Sequence, residues 1–318
     1  MRSILLVKTS SLGDVVHNLP VVSDIHARFP QARIDWVGEE GFADIPRLHP
    51  AVGRVIPVAV RRWRRALLSA ATWRELRGFR EAVREESYDL VLDTQGLIKS
   101  ALLARQAQGK RAGYAAEAAR EPFAARFYDA TYAIPRNLHA VERNRWLAAA
   151  ALGYEPNLPL DYGIAAAPLA APWLPAAPYC VLLSASSRAD KLWPETDWLQ
   201  LAAALNARGL ACVLPGGSAE ERARAARLAA GMEKAVAAPP LGIAELAQLL
   251  AGAQIVVGVD TGLSHIAAAL GRLTLCLFSG SRPELTGVYA GKTAINLGDA
   301  GAPPSAGQVI EAVTGWLA

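Results

Sequence analysis

Residues 255–271, IVVGVDTGLSHIAAALG, put a strand, a tight turn and a helix into one short stretch. Residues 255–259 form an uninterrupted apolar run rich in β-branched side chains, the pattern of a strand buried on both faces of a parallel sheet. Asp260, Thr261 and Gly262 then turn the chain, and a helix is expected over 265–270. A turn of this kind gathers the free N–H groups of the helix start, the Thr261 hydroxyl and His265 around one point, which makes an anion site. A plain helix cap for Asp260 and a satisfied interior position for His265 are the alternatives when either residue is taken alone.

Working outward, the same alternation of strand and helix fills the chain. Strands are expected at 179–183, 211–214 and 274–278, with helices at 195–207, 219–230 and 243–251. In the first half, strands are expected at 3–7, 34–37, 54–57, 90–93 and 130–134, with helices at 14–28, 72–86 and 100–106. Such alternation predicts an α/β protein of two doubly wound, Rossmann-like domains facing a central cleft, with ligands at the carboxyl ends of the strands. The expected division is 1–160, a proline-rich linker at 161–178, a second domain at 179–304 and a last helix at 305–318.

Composition agrees with this division. At about 150 residues per domain, 318 residues make two. With 52% hydrophobic and 19% charged residues, the chain has enough apolar material to fold. Cys180, Cys212 and Cys276 are odd in number and lie in apolar runs, so buried free thiols in a reducing compartment are expected, with neither a disulfide framework nor a zinc site. The uncharged stretch 162–187 is long enough to test as a membrane span, but Pro168, Pro172, Pro175 and Pro178 break it. MRSILLVKTSSLGD has too short an apolar run for a signal peptide, and a cytoplasmic protein is expected.

Charge is unevenly placed. Residues 1–150 hold 23 Lys and Arg against 16 Asp and Glu, whereas 151–318 hold 10 against 13. Nine arginines fall in residues 54–84, opposed there by Glu75 and Glu81, so an anionic partner is expected in that region. RRWRR, residues 61–65, is either a solvated face or a site for phosphates or carboxylates. Nucleic acid is disfavoured, because the surplus is confined to one segment and no nucleic-acid-binding signature is present.

Further candidates follow strand ends. ILLVK leads into TSSLGD, where Ser10, Ser11 and Gly13 can present N–H groups or hydroxyls to an anion. Asp14 is there either an N-cap or a general base, with Lys8 beside it. After YCVLL, the hydroxyls of Ser184, Ser186 and Ser187 and the ammonium of Lys191 stand where a diphosphate is held; the alternative leaves Lys191 exposed while Trp193 and Pro194 start the next helix. LPGGSAEER is another glycine-rich turn, from which Glu221 could reach a ribose hydroxyl. GxGxxG after the first strand, GxxxxGK[ST] and Asp-x-Asp are absent, which counts against a dinucleotide dehydrogenase, a P-loop enzyme and a metal-diphosphate site. A metal-independent transfer is expected.

Nearly the whole chain resembles the lipopolysaccharide core heptosyltransferases, glycosyltransferase family 9. The resemblance runs through VKTSSLGDVVHNLP (7–20), DWVGEEGFADIP (35–46), VIPVAVRRWRR (55–65), DTQGLIKSALLA (93–104), AREPFA (119–124), HAVERNR (139–145), KLWPETDW (191–198) and VDTGLSHIAAAL (259–270). It implies a GT-B fold, an acceptor-binding first domain, a nucleotide-sugar-binding second domain and a final helix that crosses back to the first domain. The implied reaction moves heptose from ADP-L-glycero-β-D-manno-heptose to the first Kdo of Kdo2-lipid A, with inversion, no metal and no cofactor.

By the same resemblance Asp14 is the base, and Lys191, Ser186, Ser187, Asp260, Thr261, Gly262 and His265 hold ADP-heptose, with Glu221 and Leu241 near ribose and adenine. Lys8, Arg61, Arg62, Arg64, Arg65 and Arg120 meet the acceptor, beside Ser10 and Ser11. The turn at Gly216 and Gly217 departs from the family by being short. A monomer bound peripherally to the cytoplasmic face of the inner membrane is expected. The rival readings are a heptosyltransferase acting on an already heptosylated core and a nucleotide-sugar-binding protein without turnover.

Overall fold

The computed structural model describes residues 2–186 and 188–317. The chain divides into two units, Met1–Ile164 and Ala165–Ala318. The division falls inside the expected linker, because Tyr162 and Ile164 are still buried in the first unit. Among the described residues each unit is built on a six-stranded sheet whose paired strands run parallel.

In the first unit, β1 (Ser3–Val7) carries Ile4, Leu5, Leu6 and Val7 fully buried, and a strand without a polar face needs cover on both sides. The helix expected at 14–28 is two helices, α1 (Leu12–Val16) and α2 (Leu19–Arg28). Pro20 is the reason: it has no N–H to bond the Val16 carbonyl and its ring crowds that group, so it is accommodated in the first turn of a new helix. There follow β2 (Arg33–Glu39), α3 (Asp44–Arg47), β3 (Val52–Val58), α4 (Val60–Trp63), α5 (Ala70–Arg84), β4 (Ser87–Asp93), α6 (Ile98–Ala104), β5 (Gln108–Tyr114), β6 (Ala130–Tyr132) and α7 (Ala140–Leu152). Leu5, Val7, Val37, Ile56, Trp63, Phe79, Val83 and Val91 pack into one core.

In the second unit the order is β7 (Tyr179–Leu183), α8 (Glu195–Asn206), β8 (Ala211–Leu214), α9 (Ala219–Ala230), β9 (Ala235–Ala237), α10 (Ile243–Gly252), β10 (Ile255–Val259), α11 (Gly262–Ala269), β11 (Leu273–Phe278), α12 (Pro283–Thr286), β12 (Ala294–Gly298) and α13 (Ala306–Trp316). Its core joins Leu182, Trp193, Trp198, Leu201, Val257 and Leu275. The C-terminal segment, expected to cross back to the first domain, packs against α8 and β11, and Ala306, Val309 and Val313 bury its apolar stripe in this unit's core. The three cysteines are free and buried. No helix among the described residues is long and apolar enough to cross a membrane.

The two sheets have matching topologies, β3-β2-β1-β4-β5-β6 and β9-β8-β7-β10-β11-β12. In each, the connection order reverses beside the first strand of the unit, which opens a crevice at the carboxyl ends of the two central strands. Those ends lie at β1 and β4 in the first unit, where Val7 pairs with Asp93, and at β7 and β10 in the second, where Leu183 pairs with Gly258.

Candidate active site

At the first crevice the segment after β1 is tied down by a residue after β4. Gln95 Oε1 accepts from the Thr9 N–H (2.6 Å), the Thr9 hydroxyl (2.9 Å) and the Ser10 N–H (3.3 Å), while its amide nitrogen donates to the Ser10 carbonyl. Gln95 is itself held by Asp93, whose Oδ1 accepts its N–H at 2.8 Å. Lys8 is buried here and donates to the Thr94 carbonyl (2.8 Å) and to Asn144 Oδ1 (3.4 Å). Burial pushes its ammonium down from 10.5 to about 8, against the pull of Asp14 and Asp93.

Asp14 is not the N-cap. Ser11 takes that position, and Asp14, at the third residue of α1, reaches back so that Oδ2 accepts from the Ser11 N–H (2.8 Å) and hydroxyl (3.2 Å). Arg120 Nη1 lies 3.6 Å from the same oxygen. These contacts converge on Oδ2 and hold the carboxylate against Ser11 and Arg120, near enough to Lys8 for its charge to act on that ammonium.

Lys99, missed by sequence reasoning, donates to the Ser10 hydroxyl at 2.8 Å. Burial lowers its ammonium, Glu39 opposes this, and the positive charges of Arg61, Arg64 and Arg120 lower it further. Cations from two separated stretches, 61–64 and 120, thus bear on one half-buried lysine, an arrangement that invites an anionic ligand. Arg61 also stacks over Phe42, with its guanidinium carbon 5.1 Å from the ring centre.

Arg62 and Arg65 depart from the expected acceptor set. Arg62 is bridged by Glu40 (3.0 Å) and Glu75 (2.8 Å), so carboxylates of the chain itself answer its charge. Glu75 also accepts from Trp63 Nε1 at 2.6 Å, which explains the tryptophan inside RRWRR: it is a buried anchor packed against Phe79. Arg65 is exposed on the turn after α4, and among the described residues no hydrogen bond or ion pair brings it to the Ser10 segment.

At the second crevice β10 delivers Asp260, Thr261 is the N-cap of α11 and Gly262 its first residue. Asp260 is therefore not the cap. Its Oδ2 accepts from Lys191 Nζ and from the Ser281 hydroxyl, both at 2.5 Å, and His265 Nε2 lies 3.9 Å from Oδ1. Burial pushes the Asp260 carboxyl up, but His265, Lys191 and Ser281 together outweigh it and hold the group well below the usual carboxylate range. Gly258 makes the close approach of α11 possible, since a Cβ there would meet the Ser264 hydroxyl at 2.5 Å and the Leu183 side chain at 2.8 Å. The result is a charged pair at a helix N-terminus, where ammonium and peptide N–H groups can share an anion.

The remaining donor candidates divide. Ser186 is half-buried, its hydroxyl accepting from the Arg188 N–H at 3.4 Å; Ser187 lies outside the described residues. Glu221 closes the Gly216–Gly217 turn: its Oε2 accepts from the N–H groups of Gly217 (2.8 Å) and Ser218 (3.1 Å), and a Cβ on Gly216 would strike the Glu221 and Arg222 backbone at 2.7 Å. Leu241 is half-buried in the loop between β9 and α10. Ser23 and His49 border a cavity of about 340 Å³ with Asp161 and mimic a nucleophilic triad. However, His49 Nδ1 accepts the Ala51 N–H (3.2 Å), so Nε2 carries the proton and donates to Ser23 (2.9 Å), the wrong direction for a base.

The sequence profile described as glycosyltransferase family 9 (heptosyltransferase) matches residues 76–311. The chain belongs to this family and is a glycosyltransferase. It is 50% identical over 298 residues to lipopolysaccharide heptosyltransferase 1 of Pseudomonas aeruginosa, covering 93% of this chain and 83% of that protein. Identity to the protein of the same name in Escherichia coli K12 is 46% over 288 residues, or 90% of each. The structure matches E. coli heptosyltransferase WaaC with ADP at a TM-score of 0.92 and 42% identity over 99% of both chains. E. coli heptosyltransferase II, at 21% identity and a TM-score of 0.78 over 100% of this chain and 98% of that one, shares the fold.

Proposed function

We propose that this chain moves L-glycero-D-manno-heptose from ADP-heptose to the first Kdo sugar of Kdo2-lipid A, inverting the anomeric carbon and using no metal ion. The observation that carries the reading is the division of chemistry between equivalent crevices: a carboxylate among cations after β1, and a lysine-aspartate pair at a helix start after β10. Identity of 46 to 50% to proteins named lipopolysaccharide heptosyltransferase 1 supports the first-heptose reaction over transfer to an already heptosylated core. A solved WaaC structure with ADP-2-deoxy-2-fluoro heptose, 42% identical with a TM-score of 0.87 over 99% of this chain and 98% of that one, supports ADP-heptose as donor.

In the proposed reaction Asp14 takes the proton of a Kdo hydroxyl as its oxygen attacks the anomeric carbon. The bond from that carbon to the diphosphate oxygen breaks, its electron pair leaves with ADP, and the new charge is met by Lys191, Thr261 and the N–H groups that open α11. Asp260 aims Lys191, and His265 and Ser281 fix Asp260. Lys8, Arg61, Arg64, Lys99 and Arg120 hold the carboxylates and phosphates of the acceptor. Neutralisation by these groups is what supports a metal-free reaction. Because the acceptor carries acyl chains, the enzyme works as a monomer docked by its basic N-terminal half on the cytoplasmic face of the inner membrane. Incubation with ADP-heptose and Kdo2-lipid A, followed by mass spectrometry, tests the reading: a product heavier by one heptosyl residue is expected, and unchanged acceptor contradicts it.

A further inference from the structure

The connection between α4 and α5 turns its apolar side chains outward. Leu68 is fully exposed, Leu67 is 58% exposed and Trp73, in the first turn of α5, is 60% exposed. Single exposed apolar residues are ordinary on a soluble protein, whereas contiguous ones mark an interaction surface. Here they are joined: Trp73 Nε1 donates to the Leu67 carbonyl at 2.9 Å, so the indole's polar edge is spent within the protein. Leu102 of α6, 44% exposed, continues the surface along a groove of about 420 Å³ between α5 and α6.

The rim is cationic. Trp73, Arg77 and Arg80 follow the i, i+4, i+7 spacing of one helix face and line this groove. Arginine stems can lie along apolar surface while their guanidinium groups reach anionic headgroups. An apolar tip bearing a tryptophan, flanked by arginines, matches the layering of an anionic bilayer, with hydrocarbon below and phosphates above.

We infer that Leu67, Leu68 and Trp73 insert into the surface of an anionic phospholipid bilayer while Arg77 and Arg80 bind its phosphates. The inference rests on the reading that the acceptor is membrane-borne, and it names the surface that brings the enzyme there.

The test is co-sedimentation of the full chain with phosphatidylglycerol–phosphatidylethanolamine vesicles or phosphatidylcholine vesicles, without donor or acceptor. Wild type is expected to bind the anionic vesicles at least about tenfold more tightly than the neutral ones, and less tightly as salt rises. Leu67→Ser/Leu68→Ser should weaken anionic-vesicle binding by about tenfold or more, as should Arg77→Glu/Arg80→Glu, at unchanged thermal midpoints. Wild-type binding by the leucine variant, equal binding to both vesicle types, or loss of a dimer in place of loss of vesicle binding would overturn the inference. Transfer to a deacylated, water-soluble acceptor should be the same for the leucine variant and wild type. Absence of that transfer from both, with vesicle binding intact, would contradict the proposed reaction and leave the docking surface standing.

Discussion

Lys191 Nζ lies 2.5 Å from Asp260 Oδ2, a pair that joins the segment after β7 to the carboxyl end of β10. Both side chains are mostly buried, at 18% and 12% exposure, so the contact is screened far less than a surface ion pair. It fixes the ammonium at the start of α11 before any ligand arrives, and preorganisation of that kind is what electrostatic catalysis requires.

The pair has a signature in acid. Asp260 titrates below its ordinary 3.8 in the folded protein, so the unfolded chain binds the proton first. Its contribution is complete above about pH 4 and is lost as pH falls through the lower, folded value. Urea unfolding at pH 7 and pH 3 should show a larger acid loss for wild type than for Asp260→Asn, with the variant ~2 kcal/mol less stable at pH 7. Equal acid losses would show that the pair contributes no stability.

Lys8 gives the opposite limb. Folded, it releases its proton near pH 8; unfolded, it keeps it to about 10.5. The chain therefore gains stability as pH rises between those values, by ~3 kcal/mol at the upper end. Transfer behaves differently, because it needs the cation: kcat/KM for the acceptor should fall above about pH 8. Lys8→Arg should move that fall to higher pH, and an unmoved profile would assign it elsewhere.

The arginines of 61–65 should separate by role. Arg61→Ala/Arg64→Ala should raise the acceptor KM by about tenfold or more while leaving the ADP-heptose KM within about twofold. Arg62→Ala should change the acceptor KM less, since Glu40 and Glu75 already occupy its guanidinium. Steady-state kinetics on both substrates decides this, and an equal rise for donor and acceptor would misplace the acceptor site.

Chelation addresses the metal-free proposal. With EDTA present, turnover should stay within about twofold of the untreated enzyme, because Lys191 and the start of α11 supply the charge that a divalent ion would otherwise bring. Restoration of lost activity by Mg²⁺ would refute it.

Much of this architecture was legible because the central strands carry an unambiguous pattern. β1, β7, β8 and β10 begin and end where the apolar runs do. β5 escaped because its sequence, QGKRAGY, has an exposed first half and two glycines required by close neighbours. A Cβ on Gly109 would strike the Tyr88 carbonyl, and one on Gly113 the Tyr128 ring. The edge strands showed no period: β9 is very short, and β12 is half-buried along its whole length with no alternation between faces.

In the candidate site the split follows distance along the chain. Lys8 and Asp260 directly follow central strands, and Asp14 and His265 lie in the helices that come next, so the strand ends pointed to all four. Gln95 lies in the turn after β4 and Lys99 in the first turn of α6, and their importance comes from reaching the 9–10 segment some 85 to 89 positions earlier in the sequence. No local pattern encodes such a contact. Arg62 erred the other way: in sequence it is one more charge in a run, and only folding sets Glu40 and Glu75 against it.

The central claim is that Asp14 makes the acceptor hydroxyl nucleophilic, and Asp14→Asn tests it with least disturbance because an amide oxygen still accepts from the Ser11 N–H that the carboxylate now caps. The measurement is kcat for heptose transfer alongside ADP-heptose affinity by calorimetry. A fall in kcat of about 10³-fold with donor affinity unchanged within about twofold is the predicted result. Transfer at close to the wild-type rate would contradict it.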